Sequence, residues 1–314
     1  MITIGDIEAA RQRIAPRIRL TPVMALTECK EPPAVDGRIT LKLECLQVTG
    51  SFKARGAMNR LLGTPREMVA NGVVTPSGGN HGLAVARTAA VAGVPATIFL
   101  PSNVSRAKVD KLRAWGARIE IIGEVWDHAN EAALGYARRT EAAYFHPFAD
   151  PLVVAGQGTL GLEIIDQLPD VDAILVAIGG GGLIAGLATA VKAQRPRTRI
   201  IGVEPVGSPT LRACLDAGRC VALPEVTTRV PTMACRQTDA RIFEVVRRTV
   251  DDIVLVSDEA MAEAARWLWF ETGVAADLSG AASVAALWKG VPALSDAAHI
   301  CALVCGAGPE GIPS

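Results

Sequence analysis

Residues 173–191, "AILVAIGGGGLIAGLATAV", run for 19 positions without a charged side chain. That is long enough for a membrane-spanning helix. Four consecutive glycines inside a helix would, however, cost about 1 kcal/mol each relative to alanine. A buried strand, a glycine turn and a buried helix accommodate the same residues without that cost. The stretch therefore reads as one unit of a soluble α/β fold rather than a membrane span.

The chain repeats this unit. "GVVTPS" (72–77) predicts a strand entering a loop, and "NHGLAVARTAAVAG" (80–93) a helix closed by Gly93. "ATIFLP" (96–101) and "RIEIIG" (118–123) predict strands on either side of the helix "SRAKVDKLRAWG" (105–116). Beyond "HPFADP" (146–151) the rhythm returns through 172–194, "RIIGVEP" (199–205), "DIVLVSDEAMAEAARWLWFE" (252–271) and "HICALVCG" (299–306). Strands alternating with helices predict parallel pairing in an α/β sandwich. Two α/β blocks are expected, and 314 residues suit one large domain or two of ordinary size. "EPPAVDG" (31–37) predicts a surface turn between early strands, and Trp267 and Trp269 read as helix packing.

Charge excludes some partners. Lysine plus arginine and aspartate plus glutamate number 32 each, which gives no electrostatic case for nucleic acid or an anionic membrane. Arg11, Arg13, Arg17 and Arg19 read as a solvated helix face and its exit. Seven cysteines, an odd number with no CxxC pair, argue against a disulfide framework or a zinc site and for a reducing cytoplasm. Asp6 and Glu8 interrupt the N-terminus, so no signal peptide is expected. No HExxH and no nucleophile elbow appear. Glu163, Glu204 and Asp216 could in principle form an oxygen-rich metal site, but nothing in their spacing demands it, and no metal is predicted.

Ligands of open α/β sheets bind outside the carboxyl ends of the strands. Glycine-bearing loops at 77–82, 179–182, 279–280 and 305–308 are expected at such ends and, if they converge, surround one site. "GGGGLIA" has Gly180, Gly182 and Ala185 at dinucleotide spacing, with Glu204 about where a ribose acid would lie. An NAD-dependent Rossmann oxidoreductase is thus one reading. Successive glycine amides at a helix start cradle any phosphate, however, so a phosphate site follows more directly than a dinucleotide. "PSGGNHG" (76–82) opens a second helix; Ser77 and the amides of Gly78, Gly79 and Asn80 suit a carboxylate. Asn80 can equally be only a helix cap. His81 is a base by residue type, with a structural role beside the loop as the simpler reading; His128, His146 and His299 carry no motif.

"GSFKARGA" (50–57) sets the sharpest question. Ser51 reads as the start of a helix, which puts Lys53 in its first turn, where a cation is disfavoured. A positive helix end and partial burial both favour a neutral, nucleophilic amine.

These pieces together resemble the β-family (fold type II) pyridoxal-phosphate enzymes, in the serine/threonine dehydratase and serine racemase branch. The resemblance spans nearly the whole chain, from "ARQRIAPRIRLTPV" and "LKLECLQVTGSFKARGA" through "SGGNHG", "AGQGTLGLEI", "VAIGGGGLIAG", "GVEP", "LSGAAS" and "CGAG". It implies two open twisted α/β domains of the tryptophan synthase β-like kind, with the cofactor in the cleft between them. Residues 1–50 and 146–314 would form a large cofactor-binding domain and 51–145 a small mobile one. The resemblance implies that Lys53 joins pyridoxal phosphate as a Schiff base and serves as base. Phe52 would pack beside the ring, and Asn80 would meet its 3′-oxygen. Gly179, Gly180, Gly181, Gly182 and Leu183 would cradle the phosphate, and Cys305 would face the pyridine nitrogen. Ser77, Gly78, Gly79, Asn80 and His81 would hold the substrate carboxylate. A homodimer acting on a small amino acid is implied, as is absence of the regulatory domain of the biosynthetic deaminases.

Two residues narrow the reaction. A thiol is a weak donor, so Cys305 leaves the ring near neutral and suits elimination over transamination. Gly78 stands where the racemase branch has a serine that protonates Cα from the opposite face. The expected reaction is elimination of the Cβ hydroxyl of a 3-hydroxy amino acid, threonine or serine by default, to a 2-oxo acid and ammonia. Serine racemisation and a non-catalytic cofactor-binding sensor are the alternatives. The sequence departs from the family at Asp277-Leu278-Ser279-Gly280, where Glu-Pro-Ser-Gly is usual, and at Gly306-Ala307-Gly308, where Gly-Gly-Asn is usual. "RVPTMACRQ" (229–237) replaces a loop with Ala-Asp-Gly on the substrate side, which leaves room for a bulkier substrate. The family's divalent-cation site retains Glu204, but "PVGSPTL" supplies no second acid.

Overall fold

The computed structural model describes residues 2–102, 104, 106–124 and 126–313. In chain order the elements are α1 (Ile4–Ile14), β1 (Val23–Ala25), β2 (Arg38–Lys42), α2 (Lys53–Leu62), β3 (Val73–Thr75), α3 (Asn80–Ala92) and β4 (Ala96–Leu100). There follow α4 (Arg106–Ala114), β5 (Arg118–Ile121), α5 (Trp126–Thr140), β6 (Ala143–Tyr144), α6 (Pro151–Gln167), β7 (Ala173–Ala177) and α7 (Gly182–Gln194). The chain ends through β8 (Arg199–Pro205), α8 (Thr210–Ala217), α9 (Ala240–Thr249), β9 (Asp252–Val256), α10 (Asp258–Thr272), α11 (Leu278–Lys289) and β10 (His299–Leu303). The helix start expected at Ser105 lies outside the described residues.

Two sheets make two lobes, as the alternating pattern predicts. The first has the order β1-β2-β10-β7-β8-β9 and the second β5-β4-β3-β6. All pairings are parallel except β1 with β2, which meet antiparallel across the "EPPAVDG" connection. β7 and β10 sit inside the larger sheet and are buried along their whole length, and their residues are apolar throughout except His299 at the start of β10. The uncharged stretch is thus β7, a glycine turn and α7. No helix among the described residues is long and apolar enough to cross a membrane.

Each lobe has its own core. Ile174, Leu175, Ile200, Val203, Ile300 and Leu303 lie in one, and Val73, Val85, Ile98, Leu112 and Phe145 in the other. α2 joins them. Its Gly56 meets α6 so closely that a Cβ would lie 2.8 Å from the Val153 carbonyl oxygen. Beside it, Arg55 enters a buried ionic cluster. Its guanidinium reaches Glu44 at 2.6 and 2.9 Å and Glu163 at 2.8 Å, while Lys42 Nζ reaches Glu163 at 2.6 Å. The start of α2 is therefore fixed to β2 and α6.

Trp267 packs edge-on against Trp288 and donates to the Glu31 carbonyl at 2.8 Å. Trp269 departs from the packing expected of it and is 37 % exposed, beside Phe270 at 69 %.

Candidate active site

Lys53 is the first residue of α2. The serine before it does not cap the helix as expected: Phe52 occupies the cap position, and the buried Ser51 hydroxyl has no hydrogen-bond partner. The segment is held by its backbone. Phe52 N donates to the Cys305 carbonyl at 3.2 Å, Ala307 N donates to the Gly50 carbonyl at 2.8 Å, and Ser51 bridges Gly306. This lacing brings Lys53 beside the end of β10. Its ammonium donates to the Pro147 carbonyl at 2.8 Å and lies 5.0 Å from the centre of the half-buried Phe52 ring. No carboxylate pairs with it among the described residues. Burial consequently brings its pKa down to about 8, against the weaker opposing influence of Cys305 and Cys235.

The glycine run follows β7. Gly181 has φ +87°, and a Cβ would lie 2.7 Å from the Thr232 carbonyl oxygen at Gly179, 2.2 Å from the Phe148 ring at Gly180 and 2.7 Å from the Phe148 carbonyl oxygen at Gly182. Each glycine thus has a steric reason of its own, and the run alone does not prove a phosphate. The amides carry that argument. Gly179, Gly180 and Gly181 donate to no protein acceptor among the described residues, and the first amides of α7 lack partners by helix geometry. These donors converge at the positive end of a 13-residue helix, with the buried Leu183 in its first turn. Thr238 Oγ1 braces the loop by donating to the Gly180 carbonyl at 3.0 Å. The 229–237 segment borders it through Thr232, and its Cys235 faces Lys53 closely enough to affect its charge.

Ser77, Gly78, Gly79 and Asn80 lie partly exposed between β3 and α3. A Cβ on Gly78 would come within 3.0 Å of Leu100 and 3.2 Å of Val104, whereas Gly79 faces open space. His81 takes the structural role rather than that of a base. It is 3 % exposed, its Nε2 meets the Phe145 carbonyl at 3.2 Å, and burial takes its pKa down to about 3. It is a neutral core residue, leaving only its backbone amide for a substrate.

Cys305 is buried at the end of β10, its thiol donating to the Ser279 carbonyl at 3.4 Å, and burial pushes its pKa up. Residues 279–280 do not follow a strand, as expected, but form the first turn of α11, because the Asp277 carboxylate caps that helix at the Gly280 amide. The loops nevertheless converge. Asn80 Nδ2 donates to Asp277 at 2.9 Å, Asp277 N donates to the Gly306 carbonyl at 3.0 Å, and Phe148 covers the glycine run.

Residues that the sequence reading passed over shape this cleft. Pro147 accepts the hydrogen bond of the lysine, and His146 Nδ1 accepts the amides of Phe148 and Ala149 at 3.2 and 2.9 Å to hold that turn. "HPFADP", recognised only as a block boundary, was their signal. Glu204 is buried and accepts the amides of Leu211 and Arg212 at 2.8 and 2.9 Å, so it offers nothing to a ribose. Glu163 is committed to Lys42 and Arg55, and Asp216 to Arg212, so the three acids form no common site.

A two-lobed α/β molecule with an amine of lowered pKa, an amide cradle and a buried thiol at one cleft has the equipment of a phosphate-bearing aldehyde cofactor enzyme. The family model for "pyridoxal-phosphate dependent enzyme" matches residues 14–306, and the chain belongs to that family. An L-threonine ammonia-lyase of Geobacter sulfurreducens is 41 % identical over 287 residues, covering 91 % of this chain and 71 % of the relative. The solved threonine deaminase of Solanum lycopersicum, isoform 2 in its processed form, superposes with a TM-score of 0.90 at 32 % identity, covering 97 % of this chain and 83 % of its own. Maize serine racemase superposes with a TM-score of 0.92 at 34 % identity, covering 97 % of this chain and 93 % of its own. The residues fit pyridoxal phosphate: the free amides of Gly179–Gly181 suit its phosphate, and the low-pKa amine of Lys53 suits its aldehyde.

Proposed function

We propose that this protein is an ammonia-lyase that converts L-threonine or L-serine to the corresponding 2-oxo acid and ammonia. The Lys53 amine, whose pKa burial without a carboxylate partner lowers to about 8, carries the reading. Gly179 to Gly182 with Leu183 would hold the cofactor phosphate, Phe52 would flank its ring, Asn80 would meet its 3′-oxygen and Cys305 its ring nitrogen. When bound, pyridoxal phosphate supplies an electron sink that acidifies the Cα–H of an amino acid.

The protein's own groups do the rest. Ser77 and the amides through His81 orient the substrate carboxylate. The amine of Lys53, mostly unprotonated above pH 8, takes the Cα proton. The Cβ hydroxyl leaves as water, and hydrolysis returns one water, so threonine is converted to 2-oxobutanoate plus ammonia. The Cys305 thiol, protonated at all ordinary pH, has one weak S–H, directed at the Ser279 carbonyl, and places no charge beside the ring.

The likeness to maize serine racemase favours a second reading, racemisation. Gly78 speaks against it: it has no proton to give, and Leu100 and Val104 crowd the space where a side chain would begin. We read residues 1–50 and 146–314 as the large domain and 51–145 as the small one. Seven free thiols support a cytoplasmic setting, and the family resemblance supports a homodimer.

The test is a panel of 3-hydroxy amino acids given to the loaded protein, with 2-oxo acid and D-serine both assayed. Borohydride should fix the cofactor to Lys53. D-serine accumulating faster than pyruvate from L-serine would favour the racemase reading, and cofactor fixation without any product would favour a sensor.

A further inference from the structure

Asp277 is the cap of α11 and is 8 % exposed. One carboxylate oxygen, Oδ2, accepts from Asn80 Nδ2 at 2.9 Å. The other, Oδ1, accepts the Ser279 hydroxyl at 2.7 Å and the Gly280 amide at 2.6 Å. Asn80 opens a helix of the four-stranded lobe and Asp277 a helix of the six-stranded lobe, so their hydrogen bond crosses the cleft. Glycines hold the carboxylate in place: a Cβ on Gly306 would lie 2.6 Å from Oδ2, and one on Gly308 would lie 2.7 Å from the Asp277 Cβ. No cation pairs with Asp277 among the described residues.

A carboxylate only accepts, so Asn80 can meet it only through its amide nitrogen. A side-chain amide has two orientations that exchange donor and acceptor ends. Asp277 selects one of them. We propose that Asp277 is a positioning residue that locks the Asn80 amide with its second N–H free to donate to the 3′-oxygen of the bound cofactor. This rests on the reading above that Asn80 faces that oxygen. The same carboxylate adds, after burial, to the forces that keep Cys305 a protonated thiol. The titratable groups around this corner are Cys45 and Cys305, with Glu310 against Gly308; Lys53 faces Cys305 from α2.

The variant D277N separates this role from helix capping, because asparagine caps helices as well as aspartate does. Asparagine both donates and accepts, so Asn80 loses its fixed orientation. The readout is the pH midpoint of the visible absorbance of the loaded protein, with the melting temperature of the cofactor-free protein as a control. A donor to the 3′-oxygen favours its anionic form, so removing the donor raises the midpoint. D277N and N80A should each raise it by about one pH unit. The double variant should go no further than either alone, and cofactor-free D277N should melt like the parent. A midpoint moved by N80A but not by D277N overturns the proposal and leaves the Asn80 reading standing. A midpoint that N80A does not move removes that reading, and the proposal with it. Should D277N fail to fold, D277S, which also caps but is too short to reach Asn80, supports the same comparison.

Discussion

Lys53 and Arg55 stand two residues apart at the start of α2, both cationic by residue type and both set in the protein, and their surroundings treat them in opposite ways. Burial works against the charge of Arg55, but Glu44 and Glu163 outweigh it and its pKa is raised. Lys53 has only a backbone carbonyl, so burial wins and its pKa falls to about 8. A fully partnered guanidinium fastens the helix, and an amine with no carboxylate partner two residues away is the proposed reactive group. One turn of helix thus carries the anchor and the reactive group, and the anchor fixes where the amine points.

The largest expected effect tests the reactive side. Lys53→Ala should abolish borohydride-stable cofactor attachment and lower 2-oxo acid formation by at least roughly 10²–10⁴-fold, the share of proton transfer alone. Its cofactor-free fold should be no less stable than the parent, because no ion pair is lost. Arg55→Ala should do the reverse in a denaturant titration, costing about 3–5 kcal/mol by leaving the buried Glu44 without a cation and Glu163 with Lys42 alone. If both variants lost stability equally, the contrast drawn between the two residues would fail.

A smaller effect probes the cradle. Gly180→Ala puts a Cβ 2.2 Å from the Phe148 ring and should cost about 1–3 kcal/mol through overpacking, with weaker retention of the cofactor on dialysis. The smallest is a pH effect. Only the neutral amine attacks an aldehyde, so capture of pyridoxal phosphate by the cofactor-free protein should rise with pH through about 8 rather than 10.5. The linked stability has a definite sign. Between those two values the unfolded chain binds the lysine proton and the folded one does not, so the contribution of Lys53 to the stability of the cofactor-free protein, measured as the difference from Lys53→Ala, should rise with pH across that window. Stopped-flow absorbance and thermal melts across the range from about pH 7 to about pH 11 would check both.

Much of this architecture was legible because it is local. The strand–glycine–helix pattern at 173–191 fixed β7, its turn and α7, and the same pattern located α3, β4, β5 and β8–β10. "GSFKARGA" pointed to Lys53 by its awkward place in a helix. What was not legible depended on long-range neighbours. Ser51 looked like a cap, but its backbone is laced to Gly306, and the helix starts without a side-chain cap. Asp277 looked like a departure from a motif, yet it meets Asn80, 197 residues away. His81 read as a structural residue beside its loop, but the Phe145 carbonyl that it meets lies 64 residues away.

The sequence by itself determined the element order and the parallel sheets, and singled out Lys53 as the proposed cofactor lysine, because periodicity, glycine placement and motif order are properties of neighbouring residues. Only the tertiary structure decided which charges are answered and which are not. Partners for Arg55, Lys42 and Asp277 arrive from distant segments, and a pKa depends on the low-dielectric surroundings they build. The lowered pKa of Lys53, on which the proposed chemistry rests, belongs to the fold rather than to the motif that announced it.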